Sequence, residues 1–138
     1  MNSDSRTSGA QPPAGPAASA RRPFSLTRKA AGLLFISGQV GLDPQTQQLV
    51  PGGFASEFAQ MMTNLTGILE AHQLSLADLV SVNVYLTTPD DYTRLNELYL
   101  AAFADPLPTR TTVIVQALPL GASVEIQGTA ALGGAETA

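Results

Sequence analysis

The chain has 138 residues and no cysteine, which is the length of one domain and excludes disulfides, thiolate catalysis and cysteine-based metal sites. Its one histidine, His72, leaves any metal centre to carboxylate or amide ligands, and no carboxylates stand at metal-loop spacing. The net charge is −4 overall and −5 between Phe24 and Gly133, four positive side chains against nine negative, so charge gives no support to nucleic-acid binding.

Residues 1–22 are rich in Ser, Ala, Gly and Pro and carry no large apolar side chain apart from Met1. Such a segment cannot bury enough surface to offset its ordering entropy, so a disordered tail is expected, with a second one over 134–138. The N-terminus has no apolar signal-peptide core, and no apolar run approaches the ~18 residues of a membrane span. A cytoplasmic protein is the simplest expectation, with one domain over 23–133. Charged residues are only 13% of the chain, against about 25% on average, which points to surface hidden in subunit contacts or lining a ligand cleft.

Phe24 to Lys29 reads as a first strand, Leu33 to Val40 as a second and Gln47 to Val50 as a short third. Asp43-Pro44-Gln45-Thr46 is a turn signal. A helix is expected from about Phe54 to His72, because Phe58, Met61, Met62, Leu65, Ile68 and Leu69 make one apolar stripe. His72 at its end is read as a solvated residue in preference to a catalytic one. Leu79 to Leu86 alternates, with Val80, Val82, Val84 and Leu86 on one face. Thr88 then caps a second helix, with Pro89 at its first position and Asp90 and Asp91 at its positive end. Its stripe runs through Tyr92, Leu95, Tyr99 and Phe103 until Pro106 and Pro108 stop it. Arg110 to Gln116 and Ser123 to Leu132 are the last strands. Six strands and two helices in this order suit an α+β layer, a mixed sheet with both helices on one face. A neighbouring subunit is the natural cover for the other face.

Four segments, in order over about 110 residues, carry a resemblance. The first is Phe35-Ile36-Ser37-Gly38-Gln39-Val40 with Asp43-Pro44, and the second is Asn64 with Ile68-Leu69-Glu70-Ala71. The third is Val82-Asn83-Val84-Tyr85-Leu86 with Asp91-Tyr92 and Asn96-Glu97-Leu98-Tyr99. The fourth is Pro108-Thr109-Arg110-Thr111-Thr112-Val113 with Leu118-Pro119 and Val124-Glu125-Ile126. Together they resemble the YjgF/YER057c/UK114 family, also called the reactive intermediate deaminase family. The resemblance implies a chorismate-mutase-like fold and a homotrimer with clefts between subunits. It also implies hydrolysis of 2-imino acids or enamines to 2-keto acids and ammonia, in a scheme that requires no cofactor or metal.

Arg110 matches the residue that would grip the substrate carboxylate. A guanidinium offers two parallel N–H groups that fix position and rotation together. Its structural alternative is a pair with Glu125. Glu125 matches the acidic residue of the last strand and could take a proton from water, or be a salt-bridge or interface residue. Thr112 stands where many relatives have cysteine, and its backbone carbonyl is the implied second holder of that water. Ser37 and Gly38 match substrate contacts, with a plain strand serine beside a bulge as the alternative for Ser37. Asn96 matches a helix asparagine, either structural or in contact with substrate. Phe24 stands where relatives have tyrosine; it keeps a ring that can wall a cleft but lacks the hydroxyl. Glu57 stands where many relatives have glutamine and is given no role. The rival readings are a pathway-specific enamine or aminomuconate-type deaminase, a non-catalytic small-molecule-binding trimer and, least supported by charge, an endoribonuclease.

Overall fold

The computed structural model describes residues 21–133; residues 1–20 and 134–138, and with them most of the expected tails, lie outside the described residues. Strands β1 (Thr27–Ala30) and β2 (Leu33–Gln39) form a hairpin around Ala31 and Gly32, both at positive φ. Helix α1 (Phe54–Glu70), β3 (Leu79–Leu86), α2 (Tyr92–Ala102), β4 (Thr109–Ile114) and β5 (Val124–Ala131) follow. The sheet order is β1-β2-β5-β3-β4. The β3–β4 pair is parallel and the others antiparallel, so the sheet is mixed as expected.

The sheet has five strands among the described residues, not the expected six. Gln47 to Val50 contributes only an isolated bridge, Leu42 to Leu49. The reason is local. The Asp43 N–H donates to the Gln48 carbonyl and the Gln47 N–H to the Asp43 carbonyl, both at 2.8 Å, while Asp43 Oδ1 accepts the Gln45 N–H at 2.8 Å. The segment spends its backbone groups on its own turn, and Gln47 sits at φ 59°.

One face of the sheet carries the core. Leu34 and Ile36 from β2, Val82, Val84 and Leu86 from β3, and Val124 and Ile126 from β5 are buried there. The stripe of α1 packs onto them through Phe58, Met61, Met62, Leu65 and Leu69, and α2 adds Leu95 and Tyr99. Each such side chain gains about 1.5–3 kcal/mol from burial, which is what holds the two helices on the sheet. Val80, placed by alternation on the core face, is only half-buried, because the register between β3 and β5 shifts between Leu79 and Ser81.

Thr88 caps the turn before the second helix, as expected. Thr88 Oγ1 accepts the Asp90 N–H at 3.2 Å, and a single turn over Pro89–Asp91 leads into α2. Helix α1 ends at Glu70, two residues short of His72, whose ring nitrogen lies 3.1 Å from the Ile68 carbonyl oxygen. Two polar residues of α1 fix the rest of the chain to it. Asn64 Nδ2 donates to the Leu42 and Val40 carbonyls at 2.9 and 3.3 Å, and buried Glu57 accepts the Ser123 N–H at 2.8 Å. Among the described residues no helix is long and apolar enough to cross a membrane.

Candidate active site

Arg110 is the second residue of β4, an edge strand, and lies opposite Val82 in the parallel register. Parallel partners share a face, so Arg110 and Thr112 point to the helix side. There Arg110 Nη2 donates to Asn96 Oδ1 at 2.7 Å. Its guanidinium carbon stands 4.7 Å from the centre of the Tyr99 ring and 5.8 Å from that of Tyr92. Tyr99 in turn stacks on Phe103, with centroids 4.2 Å apart. Asn96 and Tyr99 are one helical turn apart on α2, so one helix face supplies both an edge partner and a flat partner for the cation. Burial pushes the Tyr99 phenol above its ordinary value, an effect the nearby Arg110 charge partly opposes. Arg110 also lines an open cavity of about 280 Å³ whose apolar walls include Leu100, Leu107 and Pro108.

Glu125 is elsewhere in the protomer. It lies opposite Tyr85 on β3, one residue out of phase with buried Val124 and Ile126, and so faces the open side of the sheet. The register of β2 breaks between Ile36 and Gln39, which brings Gly38 against Glu125. A Cβ at Gly38 would overlap Glu125 Oε2, so only glycine leaves room for the carboxylate there. Burial raises the Glu125 pKa above the ordinary glutamate value. Gly38, Tyr85, Glu125 and Gln127 line a second cavity of about 290 Å³.

The residues singled out from the sequence thus fall into separate groups. Arg110 and Asn96 are joined directly, with Thr112 beside them on β4. The Thr112 hydroxyl is buried with no hydrogen-bond partner among the described residues. Gly38 and Glu125 are joined on the other sheet face. The Arg110–Glu125 pair offered as the structural alternative does not form; Arg110 is bound to Asn96 instead. The Ser37 hydroxyl donates to the Ser25 carbonyl at 2.6 Å and so ties the bulge to the segment before β1. Phe24 lies in that segment and is 56% exposed, at the sheet edge opposite to β4. Tyr99 was legible only as one position of an apolar stripe, and its role under the guanidinium has no signal in that spacing. Among the described residues no three histidine, aspartate or glutamate side chains are grouped to hold a metal ion.

The sequence profile of the family described as Endoribonuclease L-PSP matches residues 15–132. The chain belongs to this family, the YjgF or RidA family. Among its relatives is the mouse protein named 2-iminobutanoate/2-iminopropanoate deaminase, 40% identical over 111 residues, 80% of this chain and 82% of the mouse protein. RidA from an Antarctic Psychrobacter bacterium superposes with a TM-score of 0.76 at 39% identity, over 81% of this chain and 90% of that one. The E. coli protein TdcF, solved with bound serine, superposes with a TM-score of 0.74 at 29% identity, over 81% and 90% of the two chains. The α+β layer with its mixed sheet and two helices is therefore the YjgF-family architecture.

Proposed function

We propose that this chain hydrolyses 2-imino acids and their enamine tautomers to 2-keto acids and ammonia, as a cytoplasmic homotrimer with its sites between subunits. The observation that carries the reading is the fixed guanidinium of Arg110. Asn96 holds one of its edges and Tyr99 one of its faces, beside an open cavity. A carboxylate can then dock on the remaining N–H groups in one orientation. The deaminase name of the mouse relative and the serine bound to TdcF, an acid with nitrogen on the next carbon, agree with such a ligand.

Within one protomer Arg110 and Glu125 face opposite sides of the sheet. A single site that uses both takes them from two copies. Phe35 and Val113, 44% and 41% exposed, lie on the open face and supply apolar surface for that contact. In the composite cleft Arg110 grips the carboxylate. Glu125 and the Thr112 carbonyl hold a water against the imine carbon, and Gly38, Ser37, Asn96 and Phe24 shape the space around the substrate. The water oxygen bonds to carbon, one water proton passes to Glu125, and the C=N electron pair moves to nitrogen, which takes up a proton. In the collapse of the resulting carbinolamine the hydroxyl gives up its proton, nitrogen takes one, and the C–N bond breaks to release ammonia and the keto acid. Imines hydrolyse unaided in water, so holding the reactants in place is most of the task.

Keto-acid release from freshly generated 2-imino acids tests this. The wild-type protein is expected to exceed buffer, and Arg110→Ala to fall back to the buffer rate. Equal rates in all three would remove the catalytic reading and leave a binding trimer. RNA cleavage that survives Arg110→Ala would point to a contaminating nuclease.

A further inference from the structure

We propose that Tyr85 is the acid partner of Glu125, its phenol giving a proton to the substrate nitrogen while Glu125 takes one from water. The assignment rests on the hydrolytic reading above and adds a second catalytic group to that site. Tyr85 and Glu125 are directly opposed on antiparallel strands β3 and β5. Opposed pairs bring their Cβ atoms within about 4.5–5.5 Å. Both side chains leave the open face and line the same cavity.

A tyrosine carries its hydroxyl further from the backbone than a glutamate carries its carboxylate. A molecule above this pair therefore meets a base close to the sheet and a donor further out. Gly38 keeps the carboxylate side of this arrangement clear. The other polar side chain of the cavity is Gln127, whose Oε1 already accepts from Asn83 Nδ2 at 3.2 Å. Glu125 and Tyr85 are the titratable groups of the cavity lining.

The step balances without a further reactant. Water oxygen bonds to the imine carbon and its proton goes to Glu125. The C=N pair becomes a lone pair on nitrogen, which takes the phenolic proton. Glu125 then returns its proton to the phenolate. In the second half the carbinolamine O–H gives its proton to Glu125 as the C–N bond breaks. Tyr85 protonates the departing nitrogen, and the pair resets again.

The test is Tyr85→Phe in the full chain, assayed for keto-acid release beside wild type and Arg110→Ala. General acid catalysis is worth about 10²-fold or more. The expected result is a fall in kcat of about that size with KM changed less than twofold. Wild-type kcat in Tyr85→Phe, with Arg110→Ala inactive, overturns the role of Tyr85 and leaves the hydrolytic reading standing. No turnover by wild type overturns both. A kcat loss that tracks dissociation of the oligomer in sedimentation also overturns the assignment, because the ring is then a packing element.

Discussion

Arg110 Nη2 donates to Asn96 Oδ1 at 2.7 Å, and this bond fixes which edge of the guanidinium is left for a ligand. Hydrogen bonds to a charged partner contribute about 1.5–3 kcal/mol. Asn96→Ala keeps the charge and frees the rotation of the cation. KM for 2-imino acids is expected to rise about tenfold, corresponding to about 1.4 kcal/mol, with a smaller change in kcat. Steady-state kinetics with one imine at several concentrations measures the split. An unchanged KM would show that Asn96 does not orient the anchor.

Tyr99 offers the cation a ring, and its hydroxyl is buried with no hydrogen-bond partner among the described residues. An unsatisfied buried hydroxyl costs about 1–3 kcal/mol of desolvation. Tyr99→Phe removes the cost and keeps both the Arg110 contact and the stacking on Phe103. The phenylalanine variant is expected to match or exceed wild-type stability in urea at unchanged KM. Tyr99→Leu, which removes the ring face, should lose stability and raise KM. A clear loss of stability in Tyr99→Phe would mean that the hydroxyl has a partner after all.

Gly38 tests the other half of the site. A methyl there would overlap Glu125 Oε2, the far end of a flexible side chain, so the carboxylate can swing aside at little cost to the fold. Gly38→Ala is expected to keep its melting temperature within a few degrees and lose kcat at least tenfold, about 1.4 kcal/mol of barrier. Wild-type kcat in this variant would separate Glu125 from the chemistry.

The fold was largely legible because its signals are local. Alternation gave β3 its core face from Val82 onward, the stripe gave α1, and Thr88-Pro89 gave the turn that leads into α2. Gln47 to Val50 has strand-like composition, yet the neighbouring Asp43 turn takes its hydrogen bonds, a competition that composition does not reveal. The contacts that build the site are between residues distant in sequence. Glu57, given no role from the sequence, accepts the Ser123 N–H across 66 positions. The Arg110–Tyr99 contact joins an edge strand to a helix stripe that reads as plain core. The pairing of Glu125 with Gly38 depends on a bulge in β2, and the sequence marks that bulge only by the glycine itself.

The raised pKa of Glu125 sets two pH dependences of opposite sign. In the proposed mechanism the carboxylate must be ionised to take a proton from water, so activity is expected to fall as pH drops through the raised value. The acid limb of kcat/KM should therefore lie above the ordinary glutamate value of 4.5. Stability runs the other way. Burial disfavours the charged form in the folded state, so the folded chain binds more protons than the unfolded chain between the two pKa values. Its contribution is fully present below the unfolded value and is lost as pH rises through the folded one. Glu125→Gln removes the titration. The variant should lose turnover at every pH, while its urea midpoint stops declining across that window. Parallel pH series of kcat/KM and urea midpoints for wild type and variant measure both effects. A wild-type acid limb at the ordinary glutamate value would mean that the carboxylate is hydrated in the working enzyme and that burial does not tune it.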